Sequence, residues 1–201
     1  RAAGRTGDAQ GAIQRVLGVS IDELNEGWHS ALKAAFEPVL DLTSPPSDFG
    51  RALISAEGRG GEINVSPSVS PDGKWVIFFS EKDLFSIDIF LADAETGRII
   101  RKITETATDP HFESLQFINS AGAWSPDSRQ VAIGAISRGR PILSIVEVEN
   151  ADTVKEIRFP ELGEIFNPTW SPNGREIAFT AIQGGILDLF VVDVETEKLR
   201  R

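Results

Sequence analysis

The sequence predicts a mainly β protein built from three repeated sheets, preceded by an α-helical segment. The first observation is a phrase that occurs three times, as Ser-Val-Ser-Pro-Asp-Gly at 68–73, Ala-Trp-Ser-Pro-Asp-Ser at 123–128 and Thr-Trp-Ser-Pro-Asn-Gly at 169–174. The second is that a short apolar run follows each copy, and then a β-rich run that ends in an acidic turn. Such recurrence is typical of repeat proteins, and each unit has the pattern of a four-stranded antiparallel sheet, so the three units predict β-propeller blades.

Composition and charge exclude several classes of function and of site. The 201 residues have a hydrophobic fraction of 41%, which is typical of a globular protein with one or two cores. The formal net charge of −10 opposes binding to a phosphate backbone, so nucleic acid is not expected as a partner. Cysteine is absent, which excludes disulfides and a thiolate metal site and is compatible with both the cytoplasm and the periplasm. No apolar run reaches the roughly 20 residues that span a bilayer, so no transmembrane segment is expected.

Residues 1–40 are predicted to form a helical segment, as the tail of an upstream domain. Gly18 separates two stretches of helical periodicity and suits the left-handed position that ends a helix. Ser20 and Glu23 have the spacing of a capping box, which predicts that Ser20 starts a second helix with Pro38 near its end. Its apolar residues recur at steps of three and four and form one face: Ile21, Leu24, Trp28, Leu32 and Phe36.

Residues 41–63 are interpreted as a linker, since Ser, Pro and Gly are frequent there. The stretch 51–56 within it is a possible strand, which either completes the last blade of a closed propeller or lies at the domain junction. The blades are expected at about 64–104, 121–160 and 165–201, with an insertion at 105–120. Asp72-Gly73 and Asn173-Gly174 supply the positive φ of a tight hairpin, whereas Ser128 replaces this glycine in the middle copy and predicts a looser turn.

The third copy, residues 170–179, resembles the TolB-like or PD40 (WD40-like) class of β-propeller repeat, whose blades carry a Trp/Leu-Ser-Pro-Asp-Gly-x-x-Ile-Ala-Phe phrase. The resemblance covers residues 64–201 and implies that the chain is a fragment of a ring of about six blades. It also implies a parent protein that is often periplasmic or surface-associated. Because the chain begins at Arg1 and contains no methionine, we expect it to be a piece of a longer polypeptide with further blades or domains.

Residues 16–24, with Trp28, more weakly resemble the closing helices of a gluzincin-type metallopeptidase domain. The zinc motif His-Glu-x-x-His does not occur in the sequence, so the active site of such a peptidase would lie before Arg1. A helical hairpin packed against a propeller explains the same residues equally well.

No catalytic, cofactor or metal site is expected within these residues. Only His29 and His111 are present, far apart in the sequence, and no Gly-x-Ser-x-Gly elbow occurs. The aspartates that recur with the repeat favour a structural role, and none forms the dense oxygen-rich loop typical of calcium sites: Asp88, Asp93, Asp188 and Asp193. Trp124 and Trp170 recur at equivalent positions, which predicts packing between neighbouring sheets.

One end of the blades is the expected binding surface, because loops carry function more often than the strands that support them. In a propeller the connections from the second to the third strand and from the last strand to the next blade emerge on the same face. The insertion at 105–120 is therefore expected beside three short turns. The candidate partner-binding residues in these loops are Glu81, Lys82, Asp83, His111, Phe112, Arg138, Arg140 and Gln183. For any one of them, ordinary surface charge is the simpler interpretation.

A non-catalytic interaction module that binds a protein or peptide, in a larger exported protein, is the favoured function. The alternative is the propeller portion of a peptidase, either zinc-dependent with its site upstream or serine-dependent with a hydrolase domain downstream. Three blades cannot close a ring, and repeat arrays need neighbours to cover their terminal faces. The 201 residues are therefore expected to self-associate or to be marginally folded.

Overall fold

The computed structural model describes residues 8–55, 60–83, 86–109, 114–115 and 122–201. The chain divides into two compact units, one up to Arg51 and one from Ala52 onward. The first unit contains helix α1 (Ala9–Leu17), helix α2 (Ile21–Leu40) and a short 3-10 helix (Pro46–Asp48). The second unit contains the β-strands.

The ends of the two helices are set by local hydrogen bonds. Gly18 ends α1 with a φ of 74°. At the start of α2, the Ser20 hydroxyl accepts from the Glu23 N–H, and the Glu23 carboxylate accepts from the Ser20 N–H at 2.8 Å. Pro38 lies inside the last turns of α2. These observations confirm the two predicted helices and the capping box. Within this unit the apolar face of α2 is exposed, with Trp28 at 58% and Phe36 at 56%.

The second unit consists of three antiparallel sheets, one for each repeat. Blade 1 has the strand order β1 (Asn64–Val69), β2 (Trp75–Ser80), β3 (Asp88–Asp93), β4 (Ile99–Lys102). Blade 2 contains β5 (Ser114–Leu115), β6 (Ala123–Trp124), β7 (Gln130–Ser137), β8 (Arg140–Glu147) and β9 (Thr153–Arg158), and both β5 and β6 pair with β7. Blade 3 has the order β10 (Ile165–Trp170), β11 (Glu176–Gln183), β12 (Ile186–Asp193), β13 (Leu199–Arg200). The predicted mainly β fold of three four-stranded blades is confirmed.

The core lies between the blades, because alternate residues of each strand face opposite neighbours. One cluster joins blades 1 and 2 through side chains such as Ile77, Phe79, Leu91, Val131, Ile133 and Val146. A second cluster joins blades 2 and 3 through side chains such as Leu143, Ile145, Phe159, Ile177, Phe179 and Phe190. Trp124 belongs to the first cluster, and its indole N–H donates to the Ser68 carbonyl of blade 1 at 3.0 Å. Trp170 packs against the second cluster, so the prediction for both tryptophans is confirmed.

The repeated Ser-Pro-Asp phrase is explained by a hydrogen-bond pattern at the first turn of each blade. The Ser70 hydroxyl donates to Asp72 Oδ1 at 2.7 Å and accepts from the Trp75 N–H at 3.0 Å. The same pattern links Ser125 with Asp127 and Gln130, and Ser171 with Asn173 and Glu176. The serine and the acidic or amide side chain therefore close the hairpin without any contribution from a ligand.

The prediction of a looser turn at Ser128 is wrong. Ser128 has a φ of 61°, close to the 73° of Gly73 in blade 1. Its N–H donates to the Ser125 carbonyl at 2.9 Å, as the Gly73 N–H does to Ser70. The Ser128 hydroxyl also accepts from the Asp72 N–H at 3.1 Å, a contact between the turns of neighbouring blades that glycine cannot make.

The first strands of blades 1 and 3 each contain a β-bulge, and the first strand of blade 2 is described in two parts, β5 and β6. In blade 1 the register shifts between Val65 and Ser68, and in blade 3 between Phe166 and Thr169. In blade 2, β5 pairs with residues 135–136 and β6 with residues 131–132, on the two sides of the position that the bulge occupies in blades 1 and 3. The first strand of blade 2 therefore begins inside the stretch 105–120.

The described residues of the predicted linker strand, 51–55, form no strand. Leu53 and Ile54 instead pack against the face of blade 1 that points away from blade 2, next to Val76, Phe78 and Phe90. This segment covers one end of the three-blade array.

Candidate functional site

Two short hairpins lie at the predicted binding end of the blades, and we call residues 137–140 and 183–186 the rim hairpins. In blade 2, Arg138 and Gly139 have φ values of 52° and 68°, as required at both central positions of a tight two-residue turn. Gly184 and Gly185 take the corresponding places in blade 3, with φ values of 59° and 84°. Both hairpins therefore have the backbone conformation of a tight two-residue turn.

Arg138 and Arg140 are exposed at the tip of the blade 2 hairpin. Neither guanidinium forms an ion pair with any residue that the structure describes. Gln183 is half-buried at the base of the blade 3 hairpin. His111 and Phe112, the candidates in the insertion, lie outside the described residues.

The three candidates in blade 1 make intramolecular contacts. Glu81 Oε1 accepts from the backbone N–H groups of Glu62 and Ile63, at 2.5 and 3.0 Å. The Lys82 ammonium lies 5.7 Å from the centroid of the Phe90 ring. Asp83 pairs with Lys102 at 3.0 Å. These contacts hold residues 81–83 against their own blade, so fewer of their polar groups are available to a partner than on the rim hairpins.

A buried ion pair below this loop was not predicted as a feature of the site. Asp88 is fully buried, and its carboxylate accepts from the Ser86 hydroxyl at 2.7 Å and the Thr106 N–H at 2.8 Å. The Lys102 ammonium lies 2.9 Å from Asp88 and also contacts Asp83. Asp88 thus joins strands β3 and β4 to the loops on both sides. The sequence indicated Asp88 only through the recurrence of paired aspartates in the repeats. The structural role predicted from that recurrence is confirmed for Asp88.

Opposing effects act on the pKa values of this pair. Burial by itself raises the pKa of Asp88, but hydrogen bonds from Thr106, Lys102 and Ser86 outweigh it, and the pKa is lowered. Burial by itself lowers the pKa of Lys102, but Asp88 and Asp83 outweigh it, and the pKa is raised. Both groups are therefore more firmly charged in the folded chain than in the unfolded chain.

The stability of the blades is expected to fall in acid partly through Asp88. A carboxylate with a lowered folded pKa stabilises the protein above its unfolded pKa of about 3.9, and this contribution is lost as the pH falls through the folded pKa. Denaturant midpoints measured between pH 7 and pH 2 test this, because Asp88→Asn should flatten the acid limb. The exposed Glu161→Gln serves as the control, and an identical acid limb in wild type and Asp88→Asn would contradict the prediction.

Among the residues that the structure describes, no three His, Cys, Asp or Glu side chains come close enough to hold a metal ion. No helix in the described part of the chain is long and apolar enough to cross a membrane.

The three blades have the fold of a TolB-like β-propeller. The structure of TolB from Acinetobacter baumannii is similar with a TM-score of 0.57 and 22% identity, over 69% of this chain and 32% of that one. A protein assigned as TolB from Agrobacterium tumefaciens has a TM-score of 0.56 and 20% identity, over 70% of this chain and 47% of that one. The chain spans less than half the length of either protein.

A structure from a study of two prolyl endopeptidases is similar with a TM-score of 0.51 and 12% identity, over 75% of this chain and 24% of that one. At such identities the likeness shows the fold alone. No protein-family model matches the sequence. A search of curated proteins finds no match either.

Proposed function

We propose that this chain is a non-catalytic interaction module that binds a protein or peptide through its rim hairpins. The observation that carries the proposal is the exposed pair Arg138 and Arg140, which has no ion-pair partner among the described residues although the whole chain has a net charge of −10. Because the chain has excess carboxylates, two exposed arginines that pair with none of the described ones are suited to binding a ligand.

The chemistry and the backbone both favour binding. The guanidinium is planar and weakly hydrated, and it recognises carboxylates with paired hydrogen bonds. The two-residue turn at Arg138 and Gly139 is the shortest hairpin connection, and both flanking residues pair in the sheet, which limits the conformational entropy lost when a partner docks. Gln183 on the neighbouring blade adds both a donor and an acceptor.

The same proposal includes the kind of protein in which the module occurs and where that protein is located. The likeness to two TolB structures supports a larger, exported protein in which further blades or domains continue this array. His111 and Phe112 belong to the proposed binding surface, since they closely precede Ser114 in the sequence and Ser114 pairs with Ile136, next to the rim hairpin of blade 2.

The second candidate function is the propeller portion of a peptidase. The likeness to the prolyl endopeptidase structure favours it, and in that case the rim hairpins would contact a substrate on its way to a catalytic domain elsewhere in the protein. A Gly-x-Ser-x-Gly motif after Arg201 in the parent gene would favour this function, as would His-Glu-x-x-His before Arg1 for the zinc-dependent form.

The rim hairpins are tested by selecting peptides from a display library on the wild-type chain and measuring their affinity for variants. The double variant Arg138→Glu and Arg140→Glu is expected to weaken the binding of the selected peptides at least about tenfold, because both guanidinium groups are replaced by carboxylates. A tenfold loss of affinity corresponds to about 1.4 kcal/mol. Arg98→Glu, at the opposite end of blade 1, is the matched control and should leave the affinity unchanged. Equal affinity for the double variant and the wild type would exclude the rim hairpins as the binding surface.

A further inference from the structure

A groove with a volume of about 530 Å³ lies between blades 1 and 2, at the end of the strands opposite the rim hairpins. Its apolar part is formed by Trp75, Leu91 and Ile100 of blade 1. Its charged part includes Arg101 of blade 1 and Arg129 of blade 2, both of which are exposed. Two carboxylates of the blade 2 turn, Glu147 and Glu149, also line it.

The internal repeat provides a comparison for this groove. Arg101 pairs with Leu91 in the register of blade 1, and Lys155 pairs with Ile145 at the same position of blade 2. The Lys155 ammonium reaches across to blade 3, where it lies 3.1 Å from the Glu197 carboxylate and donates to the Glu195 carbonyl at 3.4 Å. Between blades 2 and 3, a basic residue of the last strand is thus tied to the turn of the next blade.

The corresponding bridge is missing between blades 1 and 2. Ala151 occupies the turn position of Glu197, because its N–H donates to the Glu147 carbonyl as the Glu197 N–H does to Asp193. Both residues have a positive φ, 65° for Ala151 and 60° for Glu197. A methyl group therefore stands where blade 3 has a carboxylate, and Arg101 makes no ion pair with any described residue.

We propose that this groove binds a peptide segment of a partner protein that carries a single glutamate or aspartate next to an aliphatic residue. The ligand carboxylate takes the place on Arg101 that Glu197 takes on Lys155. The aliphatic side chain packs on Trp75 and Ile100. Glu147 and Glu149 repel additional negative charge, so a run of acidic residues is disfavoured. This site is separate from the rim hairpins, and it stands or fails independently of the function proposed for them.

Fluorescence polarisation with the peptide Ser-Leu-Glu-Val-Ser-amide, labelled at its N-terminus with an uncharged fluorophore, tests the groove in the full chain. A second peptide with Gln in place of Glu isolates the contribution of the carboxylate. Arg101→Ala is expected to weaken the Glu peptide about tenfold and to remove its preference over the Gln peptide, because a charge-assisted contact is lost. Ala151→Glu is expected to weaken it similarly, since it supplies the missing carboxylate within the chain. Glu197 shows that glutamate is accepted at this backbone conformation.

Two control variants distinguish binding in the groove from binding elsewhere on the chain. Lys155→Ala removes the equivalent cation of the bridged interface and should leave the affinity of the Glu peptide unchanged. Arg138→Glu with Arg140→Glu should also leave it unchanged, which distinguishes the groove from the rim hairpins. Equal binding of the Glu and Gln peptides to the wild type, or no binding of either, overturns the proposal. The proposal is also overturned if Arg101→Ala has native circular dichroism and binds the Glu peptide as tightly as the wild type does. This outcome does not depend on whether Ala151→Glu folds.

Discussion

Replacing Phe179 with alanine is expected to lower the free energy of unfolding by about 3–5 kcal/mol. The Phe179 ring is 1% exposed and lies between Phe190 of its own blade and Phe159 of blade 2, with centroid distances of 6.0 and 5.2 Å. Truncation leaves a cavity at the contact between two blades, which the flanking strands can fill only by shifting. Because the side chain joins separate sheets, the loss should weaken the cooperativity between blades 2 and 3 as well.

Guanidinium unfolding followed by far-ultraviolet circular dichroism measures this loss. Phe49→Ala is the matched control, because Phe49 is 82% exposed and its truncation should change the stability by less than about 0.5 kcal/mol. Protein concentration must be held constant, since association stabilises the folded state by mass action. A loss of less than about 1 kcal/mol for Phe179→Ala would show that blades 2 and 3 do not share the core described above.

The 201-residue chain is expected to self-associate through the outer face of blade 3. Leu189 of blade 3 occupies the position that Ile89 has in blade 1 and Leu143 has in blade 2. The register shows this, because the partners on the second strand are the equivalent residues Thr180, Phe79 and Gly134. Ile89 and Leu143 are fully buried against the next blade, whereas Leu189 is 62% exposed and its neighbour Leu187 is 58% exposed. An exposed apolar sheet face of this kind typically marks a site of association.

Substituting Leu187→Lys and Leu189→Lys together should convert the associated species to a monomer, because like charges then oppose each other at the contact. Light scattering coupled to size-exclusion chromatography at several micromolar concentrations gives the mass. Leu42→Lys is the control, since Leu42 is 87% exposed in the helical unit and lies outside the blades. A wild-type chain that elutes as a monodisperse monomer and unfolds cooperatively would contradict the prediction.

The blades could be predicted from the sequence because their signals are local. A hairpin turn needs specific residues within six positions, and the copies at Ser70, Ser125 and Ser171 supply them with the hydrogen bonds described above. The helix start at Ser20 is equally local. The error at Ser128 has the same origin, because the contact that accommodates it comes from Asp72 of another blade, which the local sequence does not show.

The candidate site could be predicted only in part. The geometry of a propeller blade placed Arg138, Arg140 and Gln183 in the turns between the second and third strands. The contacts of Glu81 with the backbone at 62–63 depend on the packing of a distant segment. The groove at Arg101 emerges only when the two interfaces between blades are compared in register. A single copy of the repeat contains no sign that Ala151 replaces a bridging carboxylate.

The bulge in the first strand has a consequence for how such chains can change in length. In blade 2, the pairing of β5 and β6 with β7 on the two sides of the corresponding position keeps the alternation seen in blades 1 and 3, so the inner and outer faces of the strand are preserved. Segments of new length can therefore be accepted here during evolution without rebuilding the sheet. For protein engineering, the same position offers a graft point on each blade at which a foreign peptide is displayed while the core remains intact.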